Sequence, residues 1–322
     1  MILNYTYDIG GLSTKKIVFN DKQEIISETF LEYKNIKRIG PGSQINATEV
    51  FEIIRNDIPK DKSINLGLSI PGLIDSKNNK ILSDSSLKFT SEVNLDEIFK
   101  IFKNIKKIVI ENDAKAAAIG EYVFGQKRSC SNMLHVTIGT GLGAGIIING
   151  QLYKGNKFGA GEISKIFSNF ENDKINFLVQ FGSTNAALMR YSNSENMEKP
   201  VEIKPISLNS TESVKMNIID GKEFMEQVEK QNKISEIILN DWINNLSKFL
   251  ISINFFMDFD LITIGGGISS NKRFMKELQT KLNQYTQLFQ QFLNFEGVNV
   301  LKSKLENKAG CYGMLIKLLD SN

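Results

Sequence analysis

Apolar residues recur along the 322-residue chain in two spacings, one with a period of two and one near 3.6. The first spacing predicts strands and the second predicts helices. In the first third of the chain we expect strands at residues 2–9, 16–20, 64–70 and 105–110, and helices at residues 47–56, 95–102 and 114–124. Strands that alternate with helices indicate an α/β layered domain.

A second α/β segment opens with the same features as the first: a strand at residues 133–138, a glycine-rich turn and a strand at residues 144–148. This repetition predicts a duplicated fold with a cleft between its halves. Residues 168–233 are polar and lack a clear period, so we expect an irregular excursion with some helix. Beyond it the pattern predicts a helix at residues 234–255 that buries Trp242, a strand at residues 261–264, and helices at residues 272–292 and 310–319.

The composition is that of an ordinary globular protein, with 41% hydrophobic and 23% charged residues. At roughly 150 residues per domain, the length favours two domains. No apolar run reaches the ~18 residues of a membrane helix, and the N-terminus lacks the features of a secretory signal. We therefore expect no membrane partner. The two cysteines, Cys130 and Cys311, lie far apart in the sequence, which suits the reducing environment of the cytoplasm.

Charge and histidine content narrow the classes of function. The net charge of +3 comes from 39 basic and 36 acidic residues, which is too balanced to argue for a nucleic-acid partner. His135 is the single histidine of the chain. A histidine-centred triad and a metal site made of several imidazoles are therefore nearly excluded.

The first candidate motif follows the first predicted strand. Paired glycines and hydroxyls after a strand-end aspartate let backbone amides approach a phosphate closely. Its candidate residues are Asp8, Gly10, Gly11, Ser13, Thr14 and Lys15. The alternative interpretation is an ordinary Gly-Gly hairpin turn.

Two further glycine-rich segments also end strands. Residues 137–145 have a glycine at every second position from Gly139, which favours a turn whose amides and Thr140 hydroxyl face an anion. The alternative is a glycine-rich hairpin corner. Residues 265–267 are three glycines, against which a purine could lie flat; the alternative is a lead-in to a helix before Ser269 and Ser270.

Carboxylates occur in two of the predicted turns. Glu111, Asn112 and Asp113 lie between a strand and an alanine-rich helix, where a carboxylate could serve as a general base. The alternative is a helix cap, and both hold if one of Asn112 and Asp113 caps while the other faces substrate. Glu162 follows flexible glycines, and it either binds sugar hydroxyls or is a solvated loop charge.

The order of these motifs resembles the ROK family, which comprises sugar kinases, related open reading frames and repressors. The resemblance spans nearly the whole chain: residues 8–11, 69–72 with Asp75, 111–121, 137–145, 161–162, 264–269 and 309–313 match family motifs. It implies an α/β, two-domain actin-like ATPase (ribonuclease H-like) fold with an interdomain cleft. The implied domains are residues 1–118, joined by the C-terminal helix 308–322, and residues 119–307.

The sequence also departs from the family pattern. Lys165 stands where the family usually has a histidine, and residues 176–191 contain no cysteine or histidine, so no structural zinc is expected. In this respect the chain resembles the β-glucoside kinase branch, in which a threonine-rich stretch stands in the place of Ser183 and Thr184. No equivalent of the family's second sugar-binding glutamate is found. Leu12 replaces a usual threonine, so Ser13 or Thr14 would supply that hydroxyl.

The resemblance implies a homodimeric kinase that transfers phosphate from ATP to a sugar, with Mg²⁺ as cofactor. Asp113 would accept the proton of the sugar hydroxyl, and Asp8 would orient Mg²⁺ through water. The other implied roles are sugar binding by Asn112, Glu162, Ser183 and Thr184, with residues 83–86 also framing the pocket; phosphate binding by Gly10, Gly11, Thr140 and Gly141; and adenosine binding by Gly265, Gly266 and Gly267.

Alternatives within the family are a glucokinase or an N-acetylmannosamine kinase. A sugar-responsive repressor is disfavoured, because repressors of this family carry a helix-turn-helix before the first phosphate motif, which here starts at residue 8. A catalytically inactive sugar-sensing regulator is a further alternative, prompted by Leu12 and Lys165; Asp113 argues against it.

Overall fold

A computed structural model of the chain describes residues 2–11, 13–33, 36, 38–39, 44–83, 87–88, 93–95, 99, 102–168, 175–194, 200 and 220–320. These residues belong to two compact units. The first unit contains Met1–Ser129, Gly145–Gly161 and Lys308–Asn322, and the second contains Cys130–Ala144 and Glu162–Asn307. The domain boundaries expected from the sequence stay a prediction.

Runs of strands and helices follow one another along the described chain. The strands are β1 (Leu3–Ile9), β2 (Ser13–Phe19), β3 (Ile25–Glu32), β4 (Arg38–Ile39), β5 (Gln44–Asn46), β6 (Ile64–Ile70), β7 (Leu73–Asp75), β8 (Lys80–Ser83), β9 (Leu87–Lys88), β10 (Val93–Asn94), β11 (Ile105–Asn112), β12 (Met133–Ile138), β13 (Leu142–Ile148), β14 (Gln151–Tyr153), β15 (Leu261–Gly265) and β16 (Val300–Lys302). The α-helices are α1 (Ala47–Asp57), α2 (Asp113–Gly120), α3 (Val179–Gly182), α4 (Thr184–Ser192), α5 (Gly221–Glu229), α6 (Lys233–Met257), α7 (Lys272–Gln290) and α8 (Ala309–Asp320).

The main sheet of the first unit has the strand order β11-β6-β1-β2-β3. Strands β11, β6 and β1 are parallel, whereas β1, β2 and β3 form antiparallel pairs. The register places Asp8 opposite Ser69, and Ser69 opposite Glu111. Three parallel strands therefore end at one edge, and each has a polar residue at its last or second-to-last position.

Helices cover this sheet because their apolar residues share one face. In α1, residues Ala47, Val50, Phe51 and Ile54 are buried, and the Asn46 side chain caps the helix by accepting from the Thr48 amide. Helices α2 and α8 pack closely, since a Cβ at Gly313 would lie 1.8 Å from the carbonyl oxygen of Ala116. Only glycine permits this approach.

In the second unit, β12, β15 and β16 are parallel neighbours. The 25-residue helix α6 begins at Asn232, whose side chain accepts from the amides of Ile234 and Ser235. Trp242 of α6 is 2% exposed, which confirms its predicted burial. Its indole N–H donates to the carbonyl of Gly182 at 2.8 Å, so the tryptophan holds α3 against α6.

Most predicted elements are confirmed within a few residues at their ends. The helix expected at residues 114–124 ends as an α-helix at Gly120 and continues as a π-helical turn, Glu121–Gly125. The helix predicted at residues 95–102, the polar residues 84–86 and Leu12 lie wholly or largely outside the described residues. Within the described part of the chain, no helix has the length and apolar character that crossing a membrane requires.

Candidate functional site

The carboxyl ends of β1, β6 and β11 bring together residues that are distant in the sequence. Ser69 donates a hydrogen bond of 2.5 Å to Asp8, and Asp113 lies close enough for its charge to act on Asp8. Ligands of parallel α/β sheets bind at this edge of the strands. The arrangement brings the first glycine motif close to the carboxylate motif, and a role of both in phosphoryl transfer stays a prediction.

The environment of Asp8 disfavours its ionised form. Burial raises the pKa of its carboxyl; the hydrogen bond from Ser69 opposes this shift, the charge of Asp113 adds to it and the charge of Lys15 opposes it. The resulting pKa is about 7. A cation placed beside Asp8 and Asp113 would favour the ionised form.

The raised pKa of Asp8 predicts a pH-dependent stability. A carboxyl whose folded-state pKa lies above its unfolded value stabilises the fold below the unfolded pKa, and this contribution is lost as the pH rises through about 7. We expect the metal-free wild type to lose stability between pH 4 and pH 8 relative to Asp8→Asn, by on the order of a few kcal/mol. Urea unfolding of both proteins across this range measures the difference; parallel pH profiles would contradict the assignment.

Of the two candidates for the cap of α2, Asn112 and Asp113, the cap is Asn112. Its side-chain oxygen accepts from the Lys115 amide at 3.0 Å, and its amide nitrogen donates to the Gly72 carbonyl and to Oδ1 of Asp113, both at 3.0 Å. Asp113 follows in the first turn of α2, and its Oδ1 also accepts from the Ala114 amide. The cap thereby orients the carboxylate of Asp113, while a sugar contact by Asn112 stays a prediction.

The Gly10–Gly11 segment is a tight hairpin turn, closed by the Gly10 amide donating to the Ser13 carbonyl at 3.0 Å. The turn interpretation is therefore correct for its geometry, and phosphate binding stays a prediction. The Thr14 hydroxyl is buried against Tyr33, 2.6 Å away, a partner that sequence reasoning missed. Lys15 forms an ion pair of 2.7 Å with Glu28. Their contacts with nucleotide likewise stay predictions.

A charged triad centred on the buried Glu111 lies beside Asn112, and the sequence did not predict it. Glu111 has a side chain that is 1% exposed, 2.7 Å from Nζ of Lys317 and 3.4 Å from Nζ of Lys154. Burial by itself would raise the pKa of Glu111, but the two ammonium groups outweigh it and hold that pKa below its ordinary value. The triad ties β11, α8 and the segment after β14 together next to Asp113.

The N-terminus of α8 approaches Asp8 so closely that a side chain there would collide with it. A Cβ added at Gly310 would lie 2.5 Å from Cγ of Asp8. The glycine thus lets the first turn of the helix, whose amides favour negative charge, lie against the carboxylate.

Substitution of Gly310 tests the close contact between α8 and Asp8. We expect Gly310→Ala to destabilise the protein by about 1–3 kcal/mol, because the added methyl group must displace Asp8 or α8. Gly221→Ala is the matched control at the start of α5, where the nearest atom would be 3.5 Å away. The control should be neutral or slightly stabilising. Equal effects of the two variants on urea unfolding would refute the close approach.

In the second unit, the other two glycine segments lie side by side. Gly266 has φ +88°, and a Cβ there would lie 2.0 Å from the carbonyl oxygen of Ile138. This contact places residues 265–267 against the strand end that leads into residues 139–141. Gly267 begins a 3₁₀ turn through Ser270, so the lead-in interpretation of this segment is correct for its geometry. A nucleotide contact at Gly265, Gly266, Gly267, Thr140 or Gly141 stays a prediction.

Ser183 and Thr184 join the same group of loops. The Thr184 amide donates to the Gly139 carbonyl at 3.0 Å. Ser183 caps α4: its hydroxyl accepts from the Ala186 amide at 3.1 Å and donates to the Val179 carbonyl at 2.8 Å. These bonds fix the start of α4 beside the Gly139 turn, and a sugar contact by either residue stays a prediction.

Glu162 follows Gly161, which has φ +83°. Its carboxylate lies 3.4 Å from Nζ of Lys165, the residue that stands where the family usually has histidine. The Glu162 side chain is 28% exposed and therefore accessible to a ligand. The ion pair places the exposed ammonium group of Lys165 beside a candidate sugar-binding carboxylate.

The chemistry of the first unit's site suits Mg²⁺. This ion prefers oxygen ligands, keeps several waters and uses few carboxylates, and the carboxylates of Asp8 and Asp113 interact electrostatically here. Among the residues that the structure describes, no group of three or more His, Cys, Asp and Glu side chains is placed to hold a metal by itself. The absence of zinc stays a prediction.

Comparison with known proteins identifies first the fold of this chain and then its family. A ROK family glucokinase from Streptomyces griseus, solved with glucose and AMPPNP, has a TM-score of 0.70 at 19% identity, covering 97% of each chain. The chain has the actin-like ATPase fold of such proteins. It matches the profile of the ROK family over residues 5–320 and belongs to this family. The resemblance seen in the sequence is thereby confirmed.

Two relatives illustrate the range of the family. Beta-glucoside kinase of Listeria monocytogenes is 27% identical over 284 residues, covering 87% of this chain and 87% of that protein. Xylose repressor of Caldicellulosiruptor bescii is 26% identical over 323 residues, covering 96% of this chain and 77% of that protein. Family membership alone therefore leaves both an enzyme and a regulator open.

Proposed function

We propose that this protein is an ATP-dependent sugar kinase that transfers the γ-phosphoryl group to a sugar hydroxyl. The observation that carries the proposal is the placement of Asp113, oriented by Asn112, beside Asp8 and the end of β1. A carboxylate that accepts the hydroxyl proton and a second one that serves the metal are the two acidic groups that this transfer needs.

In this mechanism Asp113 accepts the proton of the attacking hydroxyl, and Glu162 hydrogen-bonds neighbouring hydroxyls. Asp8 would hold Mg²⁺ through water, and the bound ion would supply neutralisation of the phosphate charge. Gly10, Gly11, Thr140 and Gly141 donate backbone amides to phosphates, and Gly265–Gly267 line the adenosine. Because phosphoryl transfer depends mainly on positioning, the Asn112 cap would support the rate by orienting Asp113.

We further propose a β-glucoside as substrate, phosphorylated at its 6-hydroxyl. Lys165 stands in the place of the histidine that the family has near the anomeric end of the sugar, and no equivalent of the family's second glutamate is found. A site that does not clamp a free anomeric hydroxyl can admit a substituent there. The similarity to a beta-glucoside kinase supports this choice.

The competing proposal is that Lys165, Ser183 or Thr184 supplies the lost contacts, so that glucose or N-acetylmannosamine is preferred. The ion pair of Lys165 with Glu162 is the observation that favours it. A regulator without activity is a second competitor, motivated by the similarity to a xylose repressor. The hydrogen bond from Asn112 that orients Asp113 favours an active kinase over an inactive regulator.

An ATP-consumption assay with glucose, N-acetylmannosamine and cellobiose separates these proposals. We expect cellobiose to be phosphorylated at least as efficiently as glucose. The comparison is decisive because the competing site, one built to bind the anomeric hydroxyl, would reject a substrate lacking that hydroxyl by roughly 10⁴. Rapid turnover of glucose with poor turnover of cellobiose would end the β-glucoside assignment and keep the kinase. Binding of sugar without ATP consumption would end the kinase assignment.

Metal content is an independent test of the departure from the family pattern. We expect the dialysed protein to contain no stoichiometric zinc, because residues 176–191 offer no thiolate or imidazole. Activity should nevertheless require added Mg²⁺. One tightly held zinc per chain, found by elemental analysis, would refute this prediction.

A further inference from the structure

A concentration of positive charge lies at the opposite edge of the first sheet from Asp8 and Asp113. An open cavity of about 680 Å³ is lined there by the last turns of α1, by the segment before β6 and by residues around the start of β11. Since β6 and β11 run parallel, their amino-terminal ends are far along the strands from the candidate active site. The cavity is therefore a separate feature of the first unit.

The lining of this cavity is strongly cationic. Among the described residues that line it, Arg55, Lys60, Lys103 and Lys106 are cationic and Glu52 is acidic, so the formal charge of this described lining is four minus one, or +3. The whole chain has the same net charge of +3. A concave surface with this imbalance attracts anions.

Within the described part of the chain, these cations have few compensating partners. Glu52 pairs with Nη1 of Arg55, and no residue in the described part of the chain forms an ion pair or hydrogen bond with the ammonium groups of Lys60, Lys103 and Lys106. Nε of Arg55 is shielded from solvent and donates to no described acceptor. The cationic donors that line the cavity thus outnumber the single carboxylate of its described lining, and an anionic ligand would supply further acceptors.

The walls of the cavity are held in place without a ligand. The side-chain amide of Asn104 donates to the carbonyls of Pro59 at 2.6 Å and Lys62 at 2.8 Å. The Ile64 amide donates to the carbonyl of Asn104 at 3.0 Å. These bonds fix the Lys60 segment against the Lys103 segment, so little ordering is required when a ligand binds.

We propose that this cavity binds a phosphate-bearing small molecule of the sugar phosphate class, at a site distinct from the candidate active site. The lysines and the guanidinium of Arg55 match a phosphate, and the volume is that of a small-molecule site. Phe102 offers an apolar wall for a sugar ring, and Asn56 and Ser63 offer polar groups for its hydroxyls. The inference goes beyond the proposed function and does not depend on it.

Calorimetric titration of the full-length chain with glucose 6-phosphate and with inorganic phosphate tests the site. The test variant carries Lys103→Glu and Lys106→Glu, and the matched control carries Lys22→Glu and Lys276→Glu, which change the net charge equally at exposed lysines elsewhere. We expect at least a ten-fold weaker affinity for glucose 6-phosphate in the test variant and wild-type affinity in the control. Lys103→Gln with Lys106→Gln should give a smaller loss in the same direction, and thermal melting verifies that each variant is folded.

Each other outcome overturns the proposal. Wild-type affinity in the test variant would place any binding elsewhere, including the candidate active site. Equal losses in test and control variants would reduce the effect to overall charge. Binding of inorganic phosphate alone would remove the sugar phosphate class, and binding of an oligonucleotide in preference to both probes would make the surface a nucleic-acid contact. Because the readout is binding, a failed kinase assay leaves this result interpretable.

Discussion

Asp113→Asn should lower the turnover number by on the order of 10² to 10⁴ at saturating sugar and ATP, the usual contribution of a general base. The substitution keeps an oxygen at the position of Oδ1, which accepts from Asn112 and from the Ala114 amide. Folding should therefore be unchanged, and the Michaelis constants should change less than the turnover number, because the proton is transferred only during the reaction.

Asp260→Asn is the matched control for this variant. Asp260 also uses a carboxylate to accept backbone hydrogen bonds, from Ser131 at 2.9 Å and Asn132 at 2.7 Å, and it belongs to the second unit. Its replacement should leave turnover unaffected. A turnover number for Asp113→Asn equal to that of wild type would remove Asp113 from the role of base.

Loss of the buried glutamate should have the largest effect on stability. Glu111→Ala leaves Lys317, whose side chain is 15% exposed, without its carboxylate partner. Removing one member of a buried ion pair costs about 3–5 kcal/mol. Because the pKa of Glu111 is held below its ordinary value, its contribution is present at neutral pH and is lost as the pH falls through that pKa. Urea unfolding at pH 7 measures the loss.

Two comparisons isolate the role of burial. Glu277→Ala removes a partly exposed partner of Arg273 at 2.7 Å and should cost about 0–1 kcal/mol. Glu111→Met combined with Lys317→Met should recover much of the stability lost in Glu111→Ala, since well-packed apolar residues often replace a buried pair at little cost. A loss below about 1 kcal/mol in Glu111→Ala would show that the triad contributes little.

The hydrophobic pattern was sufficient to predict the long elements of both units. Residues 64–70 and 133–138 are strands with the predicted bounds, and α6 extends the predicted helix by one residue at its start and two at its end. These segments are buried, so the period of their apolar residues directly reflects the surface that they cover. Strand β3 was not predicted, because its residues are mostly exposed and their apolar positions do not follow one face.

The candidate site was predictable in its residue types but not in its partners. Glycine pairs after strands and a carboxylate before a helix are local features of the sequence. From them we predicted Asp8 near the end of β1 and Asp113 at the start of α2. Tyr33 beside Thr14 and Lys154 beside Glu111 depend on pairing across 19 and 43 positions of the chain, and no local pattern marks either one.

The sequence by itself determined the α/β class, the order of the motifs and the family, because each depends on residue type and on spacing within a few turns or strands. The tertiary structure decided which of two adjacent polar residues caps α2 and which carboxylate has a raised pKa. It also decided that Lys317 pairs with Glu111 and that three lysines share one cavity. Desolvation and Coulomb interactions depend on distance in space, which the parallel register of β1, β6 and β11 and the packing of α8 establish only in the folded chain.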